Sequence, residues 1–158
     1  MSKQLDVTLS IEIATALNSK ATAPFDNAYK AAVMSKGSMY VQGFLVKAGS
    51  SYKPIEHSWI ELDERIVDPT LPHLHKSVEE LYYFPAQRLS VEQLVAAVEE
   101  AKEDYPEDDP LPVYGAAPYE YYGNVMLGGA DYLAAYKQAE DKCRELSNPP
   151  TNKQRQVG

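Results

Sequence analysis

The feature that most constrains the fold is a central region, residues 39–70, in which apolar and polar side chains alternate along the chain. Its three segments are MYVQGFLVK at 39–47, HSWIEL at 57–62 and RIVDPT at 65–70. A period of two is typical of β-strands. Only Asp63 and Glu64 separate the second segment from the third, which predicts a tight hairpin.

Segments with helical periodicity lie on both sides of these predicted strands. Ser10 is the expected N-cap of a helix over 10–18, and Pro24 suits the first turn of a second helix that ends before Gly37. Two capping boxes predict helices that begin at Ser77 (with Glu80) and at Ser90 (with Gln93), and apolar spacing predicts a last helix over 130–147. Helices, a small antiparallel sheet and further helices, in that order, predict an α+β fold. We expect one domain over 1–148 and a flexible polar tail over 149–158.

The charge of the chain excludes some partners. Its 158 residues include 15 Lys and Arg against 23 Asp and Glu, a net charge of −8. This argues against direct binding to nucleic-acid phosphates or to an anionic membrane, and leaves open a basic protein partner or a cationic substrate. Cys143 is the one cysteine, so an internal disulfide is excluded. Because the sequence starts without an apolar leader and holds no apolar run of about 20 residues, we expect a cytoplasmic protein.

The predicted hairpin brings His57 and Asp68 together. With a loop of two or four residues, the facing pairs are Leu62 and Arg65, Glu61 and Ile66, and Trp59 and Asp68. His57 shares a face with Trp59, so Asp68 is its diagonal neighbour, at roughly 7–8 Å between backbone positions. A carboxylate there can accept a hydrogen bond from the imidazole, which fixes the tautomer that a general base needs. The simpler interpretation is a surface histidine and an aspartate that starts an Asp-Pro-Thr turn.

These motifs resemble those of a known superfamily. The run H-S-W-I-E-L…R-I-V-D-P-T at 57–70 is similar to the His and Asp segments of the papain-like/transglutaminase-like superfamily, typically His-Ala-Trp-x-Glu followed by a strand ending in Asp-Pro-Thr. Y-V-Q-G at 40–43 resembles the strand that precedes the histidine. P-F-D-N-A-Y at 24–29 resembles the start of the nucleophile helix, commonly Cys, an aromatic, any residue, Asn and a small residue. The resemblance implies an α+β fold with a cysteine at a helix N-terminus, packed against the sheet that carries His and Asp.

The resemblance also implies roles for individual residues. His57 would be the base, Asp68 its orienting partner and Asn27 a helper, while Trp59 and Tyr40 would border a groove. The nucleophile position falls on Pro24, which has no nucleophilic atom. We therefore predict a non-catalytic binding or regulatory protein on a thiol acyl-transfer fold, with a protein or peptide partner and no cofactor.

Two alternatives remain open. The first is an active peptidase, amidase or transglutaminase-like enzyme, whose cysteine is replaced here at Ala21 or Ala23, or whose nucleophile is Cys143, Thr22, Ser19 or Ser38. The second is an acidic decoy that binds a basic partner through the run from Glu92 to Asp109, which holds eight carboxylates and one lysine. The simpler interpretation of this run is the solvated face of a helix and its exit loop.

Two further groups of residues suggest weaker hypotheses. His73 and His75 lie near His57 and Asp68 in the sequence, and these four side chains include ligand types that Zn²⁺ binds. Their spacing matches no metal-binding motif, so we predict no metal site. The tyrosines at 114, 119, 121 and 122 would either cover the groove or pack within a proline-rich loop.

Overall fold

The computed structural model describes residues 3–49, 53–113, 119–122 and 125–147. Its strands are β1 (Gln4–Leu5), β2 (Met39–Lys47), β3 (Ile55–Leu62), β4 (Arg65–Val67), β5 (Leu81–Ser90), β6 (Tyr119–Tyr122) and β7 (Val125–Gly128). Its α-helices are α1 (Val7–Leu17), α2 (Pro24–Met34), α3 (Val91–Asp104) and α4 (Ala130–Ser147). The fold of these residues is α+β, as predicted.

Five strands form the main sheet in the order β1-β4-β3-β2-β5. The predicted hairpin is confirmed, since Leu62 pairs with Arg65 at the turn between β3 and β4. Asp63 and Glu64 have φ values of 53° and 65°, which is the left-handed backbone of a two-residue type I′ turn. The sheet is mixed rather than antiparallel, because β1, which sequence alternation did not predict, runs parallel to β4.

Helices cover one face of this sheet. Alternate residues of β2 point toward them: Tyr40 packs in a core with α1, α2 and α3, whereas Phe44 and Val46 pack against α4. α2 starts at Pro24, as predicted, and the side chains that it buries in this core are small. They are Ala28, Ala31 and Ala32, each fully buried. Such small side chains let a helix lie close to a sheet.

The opposite face of the sheet holds two smaller apolar clusters. One consists of Val41, Trp59 and Ile66, and the other of Leu45, Leu71 and Leu81. The segment after β4, which includes a 3₁₀ turn at Leu71–His73, contributes to the second cluster. His57 belongs to this face, because its ring stacks beside that of Trp59.

Two predicted helix starts differ from the structure. α1 is capped by Asp6, whose side chain accepts a hydrogen bond from the Leu9 N–H, so Ser10 lies inside the helix rather than at its cap. The capping box at Ser77 forms, but it heads only a 3₁₀ turn at Val78–Glu80, and the chain then enters β5. Its Leu-Tyr-Tyr-Phe-Pro run favours a strand, since aromatic residues fit a pleated sheet and proline breaks a helix.

β2 and β5 approach each other closely at Gly43. The register between the strands shifts here, so that Gln42 lies opposite Gln87 and Gly43 opposite Pro85. A Cβ atom at position 43 would overlap the carbonyl oxygen of Phe84. Position 43 therefore requires glycine for lack of space.

The C-terminal elements follow the prediction in part. α3 begins at the predicted capping box of Ser90, and α4 has the predicted bounds. β6 and β7 form an antiparallel hairpin, which corrects the prediction of a loop over 105–124, where β6 lies. Tyr114 and the tail over 149–158 lie outside the described residues, as do the side chains of the other clustered tyrosines. Among the described residues, no helix is long and apolar enough to cross a membrane.

Candidate functional site

His57 and Asp68 are in direct contact. His57 Nε2 lies 2.8 Å from Asp68 Oδ2, which is hydrogen-bond distance. His57 lies on β3, and Asp68 directly follows β4, so the turn that sets the hairpin register also brings this pair together. Their side chains are 3% and 0% exposed. The contact agrees with the sequence prediction, whereas the alternative of a surface histidine is wrong.

The Asp68 carboxylate accepts two further hydrogen bonds. The Tyr83 hydroxyl, on β5, donates to Oδ2 over 2.8 Å, and the Thr70 N–H donates to Oδ1 over 2.9 Å. An aspartate side chain often accepts a hydrogen bond from the backbone N–H two residues later, which forms a turn, and the bond from Thr70 is of this kind. Asp68 therefore both starts the turn and contacts His57. Burial, and then the charge of Asp68, raises the pKa of Tyr83 well above its ordinary value. The Tyr83 hydroxyl therefore remains a donor at neutral pH.

Hydrogen bonds also tie the pair to two helices. The Asp68 N–H donates to Ser10 Oγ on α1 over 2.9 Å. Asn27 on α2 donates from Nδ2 to Thr70 Oγ1 over 2.9 Å and to the Lys20 carbonyl over 2.8 Å. Its Oδ1 accepts from the Lys20 N–H over 3.0 Å. Asn27, the predicted helper, thus joins the loop before α2 to the loop after β4.

The start of α2 carries no nucleophile. Pro24 occupies the first turn, and the N-cap, Ala23, makes no side-chain hydrogen bond. α2 packs against the sheet face that carries Ile60, whereas the His57 ring lies on the face that carries Trp59. The hydrogen bond from Asn27 to Thr70 connects the two regions.

Aromatic side chains surround the imidazole of His57. Its ring stacks beside the Trp59 ring, with centroids 6.1 Å apart and an interplanar angle of 28°. The Tyr83 ring centroid lies 6.3 Å from that of His57 and 5.0 Å from that of Trp59. This buried arrangement links β3, β5 and the end of β4 through one carboxylate. A substrate would reach the imidazole only if these rings moved.

The two predicted groove residues lie on opposite faces, which corrects the prediction of one shared groove. Tyr40 pairs with Ile60, and Trp59 is the next residue along β3, so the two side chains point to opposite sides. Tyr40 is fully buried in the helix-covered core, and its hydroxyl donates to Gln42 Oε1 over 2.6 Å. Trp59 lines a small cavity of about 190 Å³. Trp59 Nε1 is the one buried side-chain nitrogen or oxygen of the described residues that lacks a hydrogen-bond partner.

Among the described residues, no hydrogen bond joins His57 to any of the alternative nucleophiles. Cys143 lies on the buried side of α4, and burial, followed by the charge of Glu140, raises the pKa of its thiol. A raised pKa works against the thiolate that a nucleophile requires. Ser38 donates to the Ala32 carbonyl over 3.3 Å, and Thr22 is exposed just before α2.

The histidines after β4 do not join the pair. His73 Nε2 lies 3.0 Å from the Ser19 carbonyl oxygen and 3.2 Å from Ser19 Oγ, and the side chain of His75 is exposed. Across the residues that the structure describes, no three His, Cys, Asp or Glu side chains form a group that could hold a metal ion. The weaker hypothesis of a zinc site at these four residues is not supported.

Part of the acidic run lines a pocket. The pocket measures about 560 Å³ and lies between the C-terminal half of α3 and the segment that follows it. Its carboxylates are Glu100, Asp104, Asp108 and Asp109, and its apolar lining includes Ala97, Ala101, Leu111 and Val113. Tyr105 lies at the same pocket with 66% of its surface exposed. The lining of this pocket thus combines carboxylates with apolar side chains.

Comparison with known proteins adds no relative. No family model, no curated protein and no solved structure matches this chain. The resemblance to the papain-like/transglutaminase-like superfamily therefore remains a prediction from short motifs.

Proposed function

We propose that this protein is a non-catalytic binding or regulatory protein whose fold resembles that of thiol acyl-transfer enzymes. The observation that supports it best is the burial of the His57–Asp68 pair, whose side chains are 3% and 0% exposed. A general base has to reach the proton that it removes. His57 instead lies enclosed beside the rings of Trp59 and Tyr83. In this proposal the buried hydrogen bond of the pair stabilises the sheet, and we call the pair a buried brace in this sense.

The chemistry of the neighbouring residues also supports a non-catalytic protein. Pro24 has no nucleophilic atom, and the thiol of Cys143 has a raised pKa on the buried side of α4. Both the oxygen and the nitrogen of the Asn27 side-chain amide are hydrogen-bonded, to the backbone of Lys20 and to the hydroxyl of Thr70. Each residue that the resemblance assigns to catalysis is thus used for packing or hydrogen bonding within the fold.

Covalent labelling tests this proposal against the enzyme alternative. The native protein is incubated with iodoacetamide and, separately, with p-nitrophenyl acetate, and adducts are followed by intact mass. We expect slow labelling that His57→Ala does not slow further. His75→Ala is the matched control, because His75 is exposed. Rapid labelling that is lost in His57→Ala but retained in His75→Ala would establish a His57-dependent nucleophile and contradict the proposal.

The acidic pocket favours a second candidate function, the binding of a basic partner. A lining of four carboxylates and several apolar side chains matches a lysine or arginine side chain with its aliphatic stem. Attraction between exposed charges is screened within about 8 Å at physiological salt, so binding of an oligolysine peptide should weaken steeply as salt is added. Asp104→Asn with Asp108→Asn should abolish it, and Asp26→Asn, on α2, is the control. Salt-insensitive binding, or none, would exclude this candidate.

A further inference from the structure

A groove runs between the two outermost strands of the sheet. Its volume is about 540 Å³, and its lining includes Gln4 and Leu5 from β1, Lys3 just before them, and the consecutive residues 81–84 from β5. Successive residues of a strand point to opposite faces. A cavity that touches consecutive residues of both strands therefore lies along the strand edges, beside their backbones, and not on one face of the sheet.

Each of the two strands beside this groove has an outer edge whose backbone groups face no other described strand. β1 and β5 are the first and last strands of the order β1-β4-β3-β2-β5, and no other described strand pairs with the outer side of either. An unpaired strand edge presents N–H and C=O groups that an extended peptide can pair with. The groove therefore has the shape and the hydrogen-bonding capacity of a site for an added strand.

Two lysines line this groove although the chain as a whole is acidic. They are Lys3 and Lys142, whereas Arg88 in the adjoining small cavity is paired at 2.9 Å with Glu61, which lines that cavity too. Both lysines form ion pairs with exposed glutamates, at 3.2 Å to Glu64 and 3.1 Å to Glu145. Exposed ion pairs contribute little, so each lysine is available to a ligand carboxylate. The charge thus complements an acidic peptide.

The adjoining cavity contains a second feature that indicates a ligand. It measures about 190 Å³ and shares Lys3, Ile66 and Tyr83 with the groove. Trp59 also lines it, is fully buried, and has no acceptor for its Nε1–H. Leaving a buried donor unpaired costs free energy, which an acceptor oxygen on a ligand would recover.

We infer that this groove binds an extended peptide segment of a partner protein, with apolar side chains and at least one Asp or Glu. The peptide pairs with the edge of β5 along residues 81–84, and its carboxylate meets Lys3 and Lys142. This inference deepens the proposed binding function by naming the site and the partner chemistry.

The test selects ligands from a random library of heptapeptides without tryptophan, presented to the immobilised full chain. Selected peptides are synthesised and titrated in solution. Trp59 is the single tryptophan, so its fluorescence reports directly on the cavity. Lys3→Glu with Lys142→Glu reverses the groove charge, and Lys30→Glu is the matched control, since Lys30 is also a lysine in an ion pair with a carboxylate, Asp26 at 2.9 Å.

We expect selected peptides that alternate apolar or β-branched residues with Asp or Glu and that change the Trp59 emission. Their affinity should fall at least about tenfold in the Lys3/Lys142 variant, where like charges meet, and stay within about twofold in Lys30→Glu. Methylation of alternate backbone amides of the peptide should abolish binding, because it removes the strand hydrogen bonds.

Several results would overturn the inference. These are the absence of any selected peptide, selected peptides that are basic, and equal affinity for the charge-reversed variant. A dimer in sedimentation that dissociates in the charge-reversed variant would assign the groove to a second copy of the chain instead. None of these readouts involves a covalent adduct, so failure here is distinct from failure of the non-catalytic proposal.

Discussion

His57 Nε2 and Asp68 Oδ2 lie 2.8 Å apart, and the Tyr83 hydroxyl meets the same carboxylate oxygen from another strand. The pair joins the two strands of one hairpin, and Tyr83 adds the edge strand β5. Because β2 lies between β3 and β5 in the sheet, these contacts span four neighbouring strands, from β4 to β5, on one side. They lie on the sheet face that carries Trp59, and Tyr83 also lines the proposed peptide groove.

We predict that Asp68→Ala lowers the free energy of unfolding by about 3–5 kcal/mol, because it leaves His57, Tyr83 and the Thr70 N–H without their buried acceptor. Urea unfolding measures the change. Asp26→Ala is the control, since it breaks an exposed ion pair and should cost no more than about 1 kcal/mol. Similar losses in the two variants would show that the Asp68 contacts do not brace the sheet.

Alkaline pH should destabilise the protein partly through Tyr83. Burial and the Asp68 charge raise the pKa of Tyr83 in the folded state, whereas in the unfolded chain it is about 10. Below pH 10 both states keep the proton, so stability does not depend on this group. Above pH 10 the unfolded chain releases the proton and is favoured, by about 1.4 kcal/mol per pH unit. Unfolding of Tyr83→Phe at several pH values should therefore show a shallower fall than wild type, and equal slopes would contradict the assignment.

Gly43→Ala should be strongly destabilising, by about 3 kcal/mol or more, because its Cβ would overlap the Phe84 carbonyl oxygen and the backbones cannot separate freely. Gly37→Ala is the comparison: its φ is +83°, but no atom lies within 4 Å of the new Cβ. It should cost about 1–2 kcal/mol from backbone strain alone. Chemical denaturation ranks the two variants, and the reverse order would contradict the close packing of β2 and β5.

Cys143 should react slowly with iodoacetamide in the native protein. Its thiol lies on the buried side of α4, and its pKa is raised. The thiolate is the reacting form, so we expect labelling at least roughly a hundredfold slower than in denaturing guanidinium. Intact mass over time measures both rates. Native labelling that keeps pace with the denatured protein would show that the helix packs more loosely than described.

The sequence predicted the centre of this fold well because local rules decide it. Alternation over 39–47 gave the bounds of β2, and a two-residue gap at Asp63 and Glu64 left one register for the hairpin. That register placed Asp68 diagonal to His57. Proline at the start of α2 and the capping box at Ser90 likewise act within a single turn.

The remaining features depend on contacts distant in sequence. β1 has two residues, too few for any periodicity, and it exists because it pairs with β4. The Ser77 capping box predicts a helix, whereas Pro85 and the aromatic run before it favour the strand that forms. Tyr83 reaches Asp68 only because β5 lies beside β2, and no local pattern predicts that order. The Asp-Pro-Thr run, by contrast, indicates a turn at Asp68 from local sequence alone, and the bond from the Thr70 N–H closes that turn.

The most direct test of the central claim is ¹H–¹⁵N NMR of the histidine rings in the native protein, which has three histidines. If the imidazole of His57 is closed off and held by Asp68, its Nε2–H should exchange with water at least roughly a hundredfold more slowly than the ring of the exposed His75. Asp68→Asn should accelerate that exchange. A ring N–H of His57 that exchanges as fast as that of His75 would show an accessible imidazole, and would contradict the buried brace.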